Sequence, residues 1–138
     1  MTVLRFQPIR GKAEEIINAI LRTEEVVSLP AQAYTIHLVV EEIVLNVIDY
    51  AYPAGEENGY LEVRTDKVGK VFSIEFRDHG IPFNPLEQAA PDTDMPLEER
   101  KIGGLGIFLC KEMMDESSYR YANGENILSF KLYGSEKE

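Results

Sequence analysis

Residues 41–53 read "EEIVLNVIDYAYP", and the fold turns on how this stretch is placed. Its apolar residues recur at helical spacing, and Pro53 followed by "AGEENG" stops the run, so a helix is expected from about Ala31 to Tyr52. At ~100° per residue, with Glu42 as origin, Asn46 falls at about 40° and Asp49 at about −20°. The three form one narrow polar stripe. Leu38 and Leu45 border it on one side, Val39 and Ile43 on the other, while His37 and Glu41 take a different face that suits solvent. An unsatisfied polar group inside a protein costs roughly 1–3 kcal/mol, so a helix built only for packing would not favour the arrangement. Two readings stay open: a polar site let into an apolar wall, or a second stripe facing water.

Working outward, "TVLRFQP" alternates as a short strand, and "KAEEIINAILRTEEVVSL" is a helix ending before Pro30. "YLEVRTDKVGKVFSIEFRD" reads as two strands with a turn near Gly69. A proline-containing, acidic loop follows, then the short amphipathic helix "LGIFLCKEMMDE" and a hairpin turning at Asn123-Gly124. The expected architecture is α+β: a two-layer sandwich of a mixed, mostly antiparallel sheet with helices on one face, in a single domain spanning 1–138. A loop of about 20 residues is too long for a mere connection and suggests a lid.

Composition narrows the function classes. With 24 acidic and 14 basic residues the net charge is −10, which disfavours nucleic acid and anionic membrane as partners. The one cysteine, Cys110, cannot pair internally and suits a reducing cytoplasm. Its helical spacing from Ile107 and Met113 points to a buried thiol. No apolar run approaches the ~18–20 residues of a membrane span, and "MTVLRFQPIR" lacks the build of a signal peptide.

Two further motifs bear on the polar stripe. "DHGIPF" places Asp78 at a strand end with Gly80 in the turn; that carboxylate can accept from an exocyclic amine, or the motif is an ordinary turn. "GGLGIFL" puts Gly103, Gly104 and Gly106 directly before a helix, where bare amides suit phosphate, or where a tight junction is needed.

In this order, "EEIVLNVIDYAYP", "RDHGIPFNP" and "KIGGLGIFLCKEMMDE" resemble the Asn box and two glycine boxes of the gyrase, Hsp90, histidine-kinase and MutL ATPase superfamily (the Bergerat fold). Within it the chain is most similar to the anti-sigma-factor serine/threonine kinases of bacterial partner switching. The resemblance implies ATP and Mg²⁺ as cofactors. It gives Asn46 the metal and Glu42 the part of general base. Asp78 and Gly80 would take the adenine, and Gly103, Gly104 and Gly106 the phosphates. Asp49 and Lys101 join the nucleotide-binding set, with Arg100 as the alternative lid cation, and residues 84–102 would be the ATP lid. The implied partners are a sigma factor and a STAS-type antagonist, with a homodimer as the assembly. The likeness departs from the family at Tyr50, where a His is frequent, and in the closing hairpin, where Asn126 or Ser129 replaces a Thr. His79 reads as a variable turn residue. A non-catalytic ATP-binding switch is the alternative function.

Overall fold

The computed structural model describes residues 1–53, 56–87 and 104–134. Five strands, β1 (Thr2–Phe6), β2 (Leu61–Val68), β3 (Val71–Asp78), β4 (Glu116–Ala122) and β5 (Glu125–Tyr133), form one sheet in the order β1-β2-β3-β5-β4. Every pairing among the described residues is antiparallel, within the mostly antiparallel sheet expected from the sequence. The turn between β4 and β5 has Asn123 and Gly124 both at positive φ, 54° and 78°, the backbone that an Asn-Gly hairpin requires.

Alternation sets the two faces of the sheet. Along β3, Phe72, Ile74 and Phe76 point inward and are buried, and Phe76 meets Phe130 of β5 edge-on at 6.4 Å between ring centroids. The opposite face carries a charged ladder. Arg64 pairs with Glu62 at 2.8 Å, Arg77 with Glu75 at 2.9 Å, and Arg77 reaches Glu125 at 3.5 Å. Apolar residues inside and ions outside account for helices on one side only.

Helices α1 (Ala13–Leu21), α2 (Glu24–Val27), α3 (Ala33–Asn46) and α4 (Gly104–Met113) cover the apolar face. The first helix expected from the sequence is in fact two. Thr23 adopts an extended backbone, φ −62° and ψ 148°, and its hydroxyl donates to the Ile20 carbonyl at 2.8 Å, competing with helix continuation. The break turns Glu25 inward, where it accepts from the Thr2 hydroxyl at 2.7 Å and the Thr65 hydroxyl at 3.2 Å.

Pro30 opens a short 3₁₀ turn into α3, which buries Ile36, Val39, Val40, Ile43 and Val44. By length and composition alone, the 22-residue helical run Pro30–Ala51 would suffice to cross a membrane, which corrects the expectation that no such run exists. Its buried side chains belong to the same core as the sheet, as in a core helix. His37 and Glu41 form an exposed i,i+4 pair at 3.7 Å, on the face assigned to solvent.

Candidate nucleotide site

From Val47 to Ala51 the helix widens into a π turn, a winding common at functional sites. The wider turn breaks the 100° progression after Asn46. Asn46 remains on the stripe and lines a cavity of about 330 Å³ beside Ile43 and Val47, whereas Asp49 is exposed and is not among the lining residues. Of the stripe, Asn46 lines the cavity and Asp49 does not. Leu45, expected to border the stripe with apolar cover, is 37% exposed. The polar residues meet the core along one edge and open space along the other.

The floor of the cavity is the end of β3. Asp78 continues the inward phase of Phe72, Ile74 and Phe76 and is 8% exposed. Its Oδ1 accepts from the Gly80 N–H at 2.9 Å and from Asn126 Nδ2 at 3.0 Å. Among the described residues nothing donates to Oδ2. Burial pushes the Asp78 carboxyl above the usual range, opposed by those two donors. The walls are apolar and aromatic, from Phe76, Ile81, Phe83, Tyr119 and Leu128, with Tyr50 at the rim. A flat heteroaromatic ring with one outward amine matches this chemistry.

Gly80 has a different neighbour from the one expected. A Cβ there would overlap the carbonyl oxygen of Ala51, the last residue of the π turn, and lie 2.8 Å from its carbonyl carbon. The glycine lets the turn after β3 close against the helix end, where Ile81 N–H donates to the same oxygen at 3.3 Å. That turn is also tethered through Tyr52. Its hydroxyl donates to the Tyr60 carbonyl at 2.6 Å and accepts from the His79 N–H at 3.0 Å. The His79 ring stacks on Tyr60 at 4.5 Å, with 7° between planes.

Glu42, one turn before Asn46, faces α4 instead of the cavity. A Cβ on Gly106 would overlap its carboxylate, so the side chain lies flush on the first turn of that helix. Burial, with the Glu41 carboxylate adding to it, raises the pKa of Glu42. Burial first, and Glu42 second, push the Cys110 thiol up to about 12, which fits the inert, buried cysteine expected. Gly104 begins α4. Gly103, Lys101 and Arg100 lie outside the described residues, as does the lid reading beyond Glu87. The lid's first residues form a 3₁₀ turn at Pro85–Glu87, and Lys111 Nζ donates to Leu86 O at 3.0 Å.

The closing hairpin supplies a residue that sequence reasoning left undecided. Asn126 pairs directly with Asp78 across β3 and β5 and is 7% exposed. Ser129 pairs with Glu75 and Ser118, on the opposite phase of β5, away from the cavity. The pattern "ENILSFKLY", in which Asn126 shares parity with Leu128, Phe130 and Leu132, was the available signal. Tyr119 and Phe83, both lining residues, carried no comparable mark.

Residues 7–132 match the family described as the histidine kinase-like ATPase domain. The chain is 32% identical over 113 residues to proteins named serine-protein kinase RsbW from Listeria monocytogenes serovar 1/2a and Listeria innocua serovar 6a. Those alignments cover 73% of this chain and 66% of each relative, just under two thirds of its length. A solved structure of the catalytic domain of histidine kinase ThkA, nucleotide free, aligns with a TM-score of 0.46 and 13% identity over 96% of this chain and 97% of its own. A likeness that distant adds nothing to the assignment, which rests on the family match across nearly all of the sequence. The chain belongs to the histidine kinase-like ATPase domain family.

Proposed function

We propose that the protein is an ATP-dependent serine/threonine protein kinase and anti-sigma factor, acting in a bacterial cytoplasm. Its substrate is a STAS-type antagonist, whose phosphorylation frees the kinase to hold a sigma factor. The observation that carries the nucleotide reading is Asp78, a buried carboxylate on the cavity floor with Oδ2 free of donors among the described residues. An acceptor-only group there suits the adenine amine, and the aromatic walls suit the ring. Similarity to proteins named serine-protein kinase supports the choice of acceptor, and the partners follow from the resemblance of the three sequence boxes.

The donor set also fits a bound metal only in a particular way. Among the described residues no group of three His, Cys, Asp or Glu side chains could hold an ion. Mg²⁺ would rest on the Asn46 carboxamide oxygen, with phosphate oxygens and water completing its shell, as is usual for that ion. Bound there, it would neutralise phosphate charge. Gly104 and Gly106 would offer backbone to the phosphates, with Gly103 and Lys101 as further contacts. Glu42 would take the proton of the incoming hydroxyl. The reading includes a homodimer and no part for nucleic acid or membrane.

A second reading, a nucleotide-binding switch without catalysis, draws on the position of Glu42 against α4, since a base must reach the hydroxyl it serves. The two are separated by labelled-phosphate transfer to an antagonist beside a binding titration. Asn46→Ala should impair both binding and transfer. Glu42→Gln should keep ATP affinity near normal while transfer falls about 10²–10⁴-fold. Tight binding of ATP and client by the unaltered protein, with no transfer to a confirmed antagonist, would establish the switch instead.

A further inference from the structure

We propose that Asn126 determines base selectivity by holding Asp78 as a pure hydrogen-bond acceptor towards the cavity. The inference rests on the reading of the cavity as an adenine site and assigns Asn126, which pairs with Asp78 there, its part in base selectivity.

The geometry leaves the Asn126 amide one orientation. Its Oδ1 accepts from the Phe83 N–H at 3.1 Å and from the Tyr119 hydroxyl. Its Nδ2 donates to the Ile81 carbonyl at 3.0 Å, to the Gly80 carbonyl at 3.4 Å, and to Asp78 Oδ1 at 3.0 Å. A backbone N–H can only donate and a carbonyl can only accept, so rotating the amide would set like against like at both ends. Asp78 Oδ1 thus receives two fixed N–H donors, from Asn126 and Gly80. Both favour the ionised carboxylate.

That matters because burial works the other way. Around Asp78 stand His79 in the following turn, Glu125 at the start of β5, Tyr52 after the π turn and Tyr119 on β4. The His79 side chain favours the charged form and Glu125 opposes it. Asn126 is the side-chain donor in contact. An ionised Asp78 accepts from an exocyclic amine and repels a carbonyl in the same place. A protonated one presents an O–H that can donate to a guanine carbonyl. Selectivity for adenine therefore depends on the charge state of Asp78, and the sign follows. Since the carboxyl titrates above its ordinary range, discrimination is greatest at alkaline pH and declines as pH falls through its pKa. Removing the Asn126 donor moves that decline to higher pH.

The test is calorimetric titration with Mg²⁺-ATP and Mg²⁺-GTP from mildly acidic to mildly alkaline pH. The unaltered protein should prefer ATP by at least roughly tenfold at alkaline pH, with the ratio shrinking on acidification. Asn126→Leu, close in size but without polar atoms, should shift that midpoint upward by about one pH unit. Asn126→Thr, which restores one donor, should move it part of the way back. Tyr119→Phe removes only the hydroxyl that steadies the amide and should give a smaller shift in the same direction, even if Asn126→Leu fails to fold. A merely structural asparagine would weaken both nucleotides alike with no change in pH midpoint, and that result overturns the proposal. Unaltered protein that binds neither nucleotide overturns the cavity reading beneath it, a separately recognisable outcome.

Discussion

A Cβ added at Gly80 meets the backbone carbonyl of Ala51, whereas one added at Gly106 meets the carboxylate end of Glu42. Backbone in a packed helix end cannot withdraw cheaply, and overpacking of that kind costs about 1–3 kcal/mol. A glutamate terminus can swing aside, and alanine inside a helix gains about 1 kcal/mol over glycine. In urea unfolding, Gly80→Ala should therefore fall below the unaltered protein, and Gly106→Ala should equal or exceed it. The reverse order would contradict both contacts. The comparison also marks what single residues disclosed. Asp78 and Gly80 were legible as a pair, but the reason for the glycine lay in a helix end 29 positions earlier that no local pattern displays. Asn126 and Ser129 could be told apart only by the parity of their strand.

At the scale of elements, the long central helix, the strands β2 and β3 and the Asn-Gly hairpin were readable because each has one dominant period or turn signal. Two departures came from local backbone chemistry. The π turn at Val47–Ala51 has no propensity signature, so a wheel drawn at constant pitch does not give the direction of the residues it holds; Asp49 among them is exposed and does not line the cavity. The interruption before α2 was signalled by Thr23 ahead of two glutamates, a helix-start pattern, yet the apolar spacing runs on across it. The broken helix leaves Glu25 nearly buried. Burial would raise its carboxyl, but the hydroxyls of Thr2 and Thr65 and its own backbone N–H prevail, and its pKa lies below the ordinary 4.5. A lowered acid adds stability that is complete above its unfolded pKa and lost as pH falls through the folded one. Glu25→Gln should thus cost on the order of 1 kcal/mol at neutral pH, with the gap to the unaltered protein closing below about pH 4.5 in thermal unfolding. A gap that widens on acidification would remove Glu25 as its source.

Across the whole molecule, the one-sided sheet leaves β1 and β4 as its edges. An unpaired edge strand can pair with its own copy, so the proposed homodimer has β1 as a candidate edge. Light scattering at micromolar concentration should give twice the monomer mass, 15.6 kDa, and a monomer throughout would dismiss the assembly.

The direct pairing of Asp78 with Asn126 spans 48 positions of chain. Closing so wide a loop costs conformational entropy before any contact offsets it, and such pairings form slowly. Asn46 stands instead on a helix whose own hydrogen bonds are local. The two ends of the cavity therefore have different histories. The end with Asn46 can take shape early, while the end with Asp78 and Asn126 comes into being only when β5 docks beside β3. A ligand that needs both ends finds nothing to hold in a half-folded chain, so it retains the finished protein without guiding the route to it.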